Sequence, residues 1–171
     1  MQASVLDRIG NTPLISLEKI ADGTNRAIYA KAEMLNPGGS IKDRLARVLI
    51  ESAENDGSLR PGGTVIEVTS GNTGIAVAWI CAARGYRARI VMSDKNSREK
   101  RDMMELFGAE LTLTPHTAKP DEPESNYKTA ERLAAELPNS IYLDQYNNSG
   151  NIGCHYSTTG PEIWEQTSGE I

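Results

Sequence analysis

Cysteine, histidine and aromatic residues are scarce in this 171-residue sequence: two Cys, two His, and 5% aromatics with a single Phe. Cys81 and Cys154 are too few and too far apart for a disulfide framework or a CxxC metal site. Cys81 lies in the apolar run AVAWICAA and reads as a buried, inert thiol. His116 (in TPHT) and His155 (in GCHY) stand alone, which disfavours a three-ligand zinc site and a Ser-His-Asp hydrolase. No excess of basic charge exists either: 18 Lys+Arg against 23 Asp+Glu leave a net charge of −5 with the basic residues scattered. Neither nucleic acid nor an anionic membrane is therefore an expected partner. The longest apolar stretch, 75–83, is about half a membrane span, and MQASVLDRIG lacks the basic-then-apolar order of a signal peptide, so the expected location is cytoplasmic.

What is present is ordinary for a folded chain, with 39% apolar and 24% charged residues and a length suited to about one domain. Apolar runs alternate with helical periodicity. A strand over 27–33 precedes a helix in which Ile41, Leu45, Val48 and Leu49 share a face. Strand 64–68, helix 74–84 stopped by Gly85, strand 87–92, helix 97–107 stopped by Gly108, and strand 110–114 follow. The proline-bearing stretch 115–125 reads as a surface loop. Helix 126–136, strand 141–143, a polar loop DQYNNSGNIG and a helix around PEIWEQ, with Pro161 near its first turn, complete the chain. This rhythm predicts an α/β fold: an open, twisted parallel sheet with helices on both faces and ligands at the carboxyl ends of its strands.

Three segments could carry chemistry. In NPGGSIKDR (36–44), two glycines follow a strand, Ser40 reads as an N-cap and Asp43 as its capping-box partner. Lys42 then falls in a helix's first turn, where the macrodipole opposes a cation and favours a neutral, nucleophilic amine able to form a Schiff base. The alternative is a solvent-facing lysine whose charge Asp43 offsets. In TSGNTG (69–74), hydroxyls, an amide and glycines sit at a strand-to-helix turn and offer donors to a carboxylate or phosphate. That turn is neither a P-loop nor a G-x-G-x-x-G fingerprint, and the bland alternative is a turn that only caps its helix. In DQYNN (144–148), Gln145 would emerge on the same rim and could add a donor, or the loop is simply polar.

Together with GNTPL (10–14) and the closing HYSTTGPEIWEQTSG, these segments resemble the cysteine synthase and cystathionine β-synthase family of pyridoxal-phosphate enzymes over nearly the whole chain. The resemblance implies the fold type II architecture, like that of the tryptophan synthase β-subunit. It implies residues 1–36 opening a larger domain, 37–148 forming a small α/β domain, and 149–171 returning to the larger one. It implies pyridoxal 5'-phosphate as cofactor, Lys42 as the residue that bonds it covalently, and Asn72 as the contact to its ring hydroxyl. Thr69, Ser70, Gly71, Thr73 and Gln145 match positions that hold the substrate carboxylate.

The implied reaction is β-replacement on serine or an activated serine by a thiol, with the cofactor as electron sink and Lys42 removing the α-proton. The segment PDEPESNYKTAERLAAELPNS looks more like cystathionine β-synthase than like O-acetylserine sulfhydrylase. In that family the loop that binds the cofactor phosphate follows a strand that would begin near Ile171. The chain alone is therefore expected to be inactive, and to form a homodimer or pair with a complementing C-terminal fragment through Leu14, Ile15, Ile163 and Trp164. A cofactor-free binding or structural protein of the same fold is the alternative from a different class, and a small domain that binds amino acids weakly through TSGNT is a third.

Overall fold

A computed structural model describes residues 4–171. Its centre is a parallel sheet of four strands: β3 (Thr64–Val68), β4 (Arg87–Ser93), β5 (Glu110–Thr114) and β6 (Ser140–Tyr142), ordered β5-β4-β3-β6. Every residue of β3 is buried, as befits a central strand covered on both faces. Its side chains alternate between two cores. Val65 joins Leu45, Leu49, Ile80 and Met104, whereas Ile66 and Val68 pack with Val91 and Ala130. The first core is built by α2 (Lys42–Asn55), α3 (Asn72–Arg84) and α4 (Arg98–Leu106), and the second by α5 (Asn126–Glu136). The expected parallel sheet with helices on both faces is what the chain forms.

Local chemistry sets the helix limits. α3 is apolar almost all round and is correspondingly buried; it ends at Gly85, whose φ of 76° is the left-handed cap expected there. It starts at Asn72, two residues earlier than periodicity suggested. α5 begins where the Ser125 hydroxyl accepts from the Lys128 amide at 3.2 Å, and stops at Leu137, which an adjoining Pro138 holds extended.

Two expectations are corrected here. The strand expected over 27–33 shrinks to β2 (Tyr29–Lys31) and stands outside the parallel sheet, paired antiparallel with β1 (Leu14–Ser16), Leu14 opposite Lys31. A short helix, α1 (Glu18–Ala21), reverses the chain between them, and β3 has no free edge because β4 and β6 flank it. The polar stretch DQYNNSGNIG is also not all loop. Helix starts at Gly150 and runs through α6 (Gly150–Cys154), a π-helical turn at His155–Thr159, and α7 (Gly160–Gln166) with Pro161 in its first turn. Ser157 and Thr158 hydroxyls donate back to carbonyls of the preceding turn, which accompanies the wider winding.

The N-terminal segment, α2 and the helical tail are tied by a buried ion cluster. Arg44 donates to Glu33 at 2.8 and 2.9 Å and to Glu162 at 2.6 and 2.7 Å; Lys31 reaches Glu162 at 2.6 Å. Burial alone would raise Glu162, but the bonds from Arg44, Lys31 and the Asn11 amide outweigh it and hold the carboxyl at about 2. No helix among the described residues is long and apolar enough to cross a membrane.

Candidate active site

Sheet order decides where a ligand could sit. From β3 the chain proceeds outward through β4 to β5, then returns to place β6 on the other side of β3. The carboxyl ends of β3 and β6 therefore flank a topological switch point, where loops diverge and leave a crevice. Thr69–Gly71 leaves β3 there, and Asp144–Asn148 leaves β6 there.

The two loops are joined directly. Gln145 donates from Nε2 to the Val68 carbonyl at 2.9 Å, and its Oε1 accepts from Thr73 Oγ1 at 2.7 Å. All three groups belong to buried residues. The loop's other polar residues hold Gln145 in place: Asn151 Nδ2 donates to the Gln145 carbonyl, Asn148 Nδ2 to that of Leu143, and Asp144 sits at φ 50° while its carbonyl accepts from the Asn147 and Asn148 amides. In the other loop the Thr69 hydroxyl accepts from the Gly71 amide at 3.0 Å, drawing the turn closed before α3 starts. Ser70 and Asn72 stay exposed and enter none of these bonds. The turn thus presents a hydroxyl, a carboxamide and the first amides of α3, which have no intrahelical partners. Such a set suits a carboxylate.

Lys42 is the first residue of α2, as expected, but its first turn is wired differently. Ser40 Oγ accepts from the Lys42 amide at 3.2 Å, while Asp43 does not close a capping box. Asp43 is buried and accepts from the Gly38 amide at 2.5 Å and from Trp79 Nε1 at 3.1 Å. Burial raises its pKa, and those two bonds only partly offset that. Asp43 therefore spends its acceptors on Trp79 and Gly38 and does not pair with Lys42. Through Trp79, two turns along α3 from Asn72, the bond fastens the start of α2 to the middle of α3. Gly38 makes it fit, since a methyl there would overlap both Asp43 Oδ1 and Trp79 Nε1.

The helical tail packs against α2 through α6. Burial, and then the charges of Lys42 and Arg44, keep the His155 imidazole below its usual value; its Nδ1 lies 3.0 Å from Thr159 Oγ1. The isolation of His155 in the sequence argues only against a zinc site; its position near the start of α2 depends on α6 packing against α2, which no local pattern reveals. Cys81 and Cys154 are both buried, and burial pushes the Cys81 thiol up to about 12. Among the described residues no cluster suits a metal ion.

A further group was not foreseen. Glu67 is fully buried at the end of β3, with no hydrogen-bond partner for either carboxyl oxygen. Burial drives its pKa up to about 8; the neighbouring Gln145 and Val68 amides lower it less, and Asp144 adds to the rise. Burial thus favours the protonated form of this carboxyl, which lies directly behind the Gln145 loop. The sequence signal was a lone acid in an otherwise apolar central strand, TVIEV.

Comparison with known proteins follows the same pattern. A family described as pyridoxal-phosphate dependent enzyme matches residues 5–171. Cystathionine beta-synthase of Apis mellifera is 50% identical over 169 residues, covering 98% of this chain and 34% of that protein; the Oryctolagus cuniculus enzyme is 48% identical, at 98% and 31%. Cysteine synthase 1 of Emericella nidulans is 46% identical over 165 residues, at 96% and 44%. The chain thus spans about a third of the length of the curated relatives it matches. Among solved structures, O-ureido-L-serine synthase superposes with a TM-score of 0.89 at 37% identity, covering 100% of this chain and 52% of that one. A lysine-to-alanine variant of that enzyme with O-ureido-L-serine bound gives 0.90 at 38% identity, again over 100% and 52%. With strand order, switch-point turn and this breadth of likeness in agreement, the chain belongs to the pyridoxal-phosphate dependent enzyme family.

Proposed function

We propose that this chain supplies the lysine-bearing part of an enzyme that replaces the β-substituent of serine or an activated serine with a thiol, in sulfur amino-acid metabolism. The observation that carries this reading is the hydrogen-bonded junction of Thr73, Gln145 and Val68 at the switch point, with open donors beside it and Lys42 on the helix fastened to α3. Relatives named cystathionine beta-synthase and cysteine synthase support the reaction class.

The residues present fit the cofactor. Lys42 would hold it covalently, and Asn72, exposed and unbonded at the start of α3, would reach its ring. Pyridoxal phosphate, when bound, supplies the electron sink for carbanion chemistry at the substrate. Thr69 and Ser70 bind the substrate α-carboxylate through their hydroxyls and Thr73 through its first-turn amide, Gly71 lets the backbone approach it, and the second N–H of the Gln145 amide adds a donor. Lys42 Nζ would also be the base that takes the substrate's α-proton. Residues 37–148 act as the small domain, with the flanking segments belonging to a larger one. By themselves the 171 residues turn over negligible substrate, and they self-associate or pair with a complementing C-terminal fragment. The use of the glycine-bearing stretch from Gly150 as helix, and not as a phosphate-binding loop, supports this.

Borohydride reduction with pyridoxal phosphate, followed by peptide mass analysis, tests the role of Lys42. The Lys42 peptide is expected to gain a phosphopyridoxyl group, the cofactor's mass less the one oxygen lost as water and not restored on reduction, and Lys42→Ala to abolish labelling and β-replacement. Label on another lysine, or undiminished turnover of serine with homocysteine or sulfide by Lys42→Ala in the complete enzyme, would overturn the assignment.

A further inference from the structure

α4 approaches the carboxylate turn in a way the reaction scheme above does not use. Two of its residues one turn apart, Lys100 and Met104, lie over two glycines at the start of α3. A Cβ built at Gly71 would meet Lys100 Cδ and Nζ, each at 2.5 Å, and one at Gly74 would meet Met104 Cε at 2.7 Å. Met104 is fully buried, so α4 is docked by its core residue and Lys100 follows in register. This is a cation held against the turn by packing, with its stem half-buried.

Its charge is unbalanced where it sits. Among the described residues no carboxylate pairs with Lys100, and α3 has no acidic residue in its first turn. The positive end of the α3 macrodipole and the Lys100 ammonium therefore face the same small volume without an anion between them, an unfavourable arrangement that a negative ligand would relieve. Glycine at position 71 is the condition for it, because any side chain there would evict Lys100.

We propose that Lys100 is a specificity-determining residue of this site, its ammonium providing the counter-charge for the α-carboxylate held by the Thr69–Thr73 turn. The proposal rests on the carboxylate reading of that turn. It gives the site selectivity for amino acids over the corresponding amines, which the neutral hydroxyls and amides of the turn supply only weakly.

The test uses the 171-residue chain, with acetate as probe and the amide resonances of Gly71 and Thr73 as readout. Saturating shifts are expected for the unaltered chain, with the Lys100 Nζ resonance moving alongside. Lys100→Met keeps an aliphatic stem over Gly71 and should bind about tenfold more weakly or worse, while Lys100→Arg restores binding to within about threefold. Acetamide, the uncharged isostere, should cause no shift. Equal acetate binding by Lys100→Met, an unmoved Nζ resonance, or equal shifts from acetamide would overturn the role of Lys100 while leaving the turn as a ligand site. Absence of any acetate shift in the unaltered chain would overturn the carboxylate reading and this proposal together.

Discussion

A buried carboxyl without partners behaves as a proton store, and Glu67 makes that measurable at the level of one residue. In the unfolded chain its carboxyl ionises near its ordinary 4.5, whereas burial keeps it protonated in the native state up to about 8. Between those values the native state binds more protons than the unfolded one. Stability therefore falls as pH rises through this window, by up to about 1.4 kcal/mol per pH unit from this group. Glu67→Gln removes the titration at nearly constant shape, so the variant should gain stability relative to the parent as pH goes from 5 to 8. Thermal melts across that range check it, and a pH-independent difference between the two proteins would exclude the mechanism. Neither this state nor the bonding of Asp43 could be read locally. The spacing of Ser40 and Asp43 suits a capping box, but the carboxylate turns to Trp79, 36 residues away. Lys42 needed no such distant partner to be placed in the first turn, because the helix pattern and the glycines before it are both local.

At the scale of elements, sequence periodicity captures the set that local preference and burial decide together: β3, β4, β5, α5 and the Gly85 end of α3 lie where alternation and caps put them. β2 is shorter than the strand expected over 27–33 because a three-residue strand carries no periodicity of its own, and its partner β1 is fixed by pairing across a reversal. The tail helix is longer than its sequence pattern predicts: Asn, Ser and Gly over 147–151 favour turns, yet packing against α2 overrides that preference. The ion cluster is what holds these less legible elements, and it should be costly to break. Arg44→Met would leave Glu33 a poorly solvated carboxylate without a cationic partner and Glu162 with Lys31 alone, and about 3 kcal/mol of stability should be lost in urea unfolding at neutral pH. Glu162 adds stability above its ordinary 4.5 that is lost only as pH falls through about 2. In Arg44→Met the acid transition should therefore move to higher pH. A variant with parental urea midpoint and parental acid transition would show that the cluster contributes nothing.

Across the whole molecule, apolar burial is uneven. The two cores beside the parallel sheet are closed, with Leu45, Ile50, Ile66, Ile80 and Ile90 all fully buried. The helical tail and the N-terminal ribbon are not. Tyr156 is 85% exposed, Ile152 79%, Met34 64% and Trp164 58%, and Leu35 and Ile15 join them. Of the four residues expected to lack cover, Ile15 and Trp164 are exposed, while Leu14 and Ile163 are half-buried. The β1–β2 ribbon has only two strands, so each strand keeps an unpaired edge, and such ribbons are marginal without further packing. Side chains of this size gain roughly 1.5–3 kcal/mol each when fully covered, so contact between two such faces outweighs the cost of association once several are buried. The 171-residue chain should accordingly associate at micromolar concentration, giving a light-scattering mass above that of one chain. Ile152→Ser with Tyr156→Ser should reduce that mass, since both side chains are exposed on the same helical tail and touch neither closed core. A parent chain that remains a monodisperse monomer would mean that these residues, though exposed, do not form a self-complementary face.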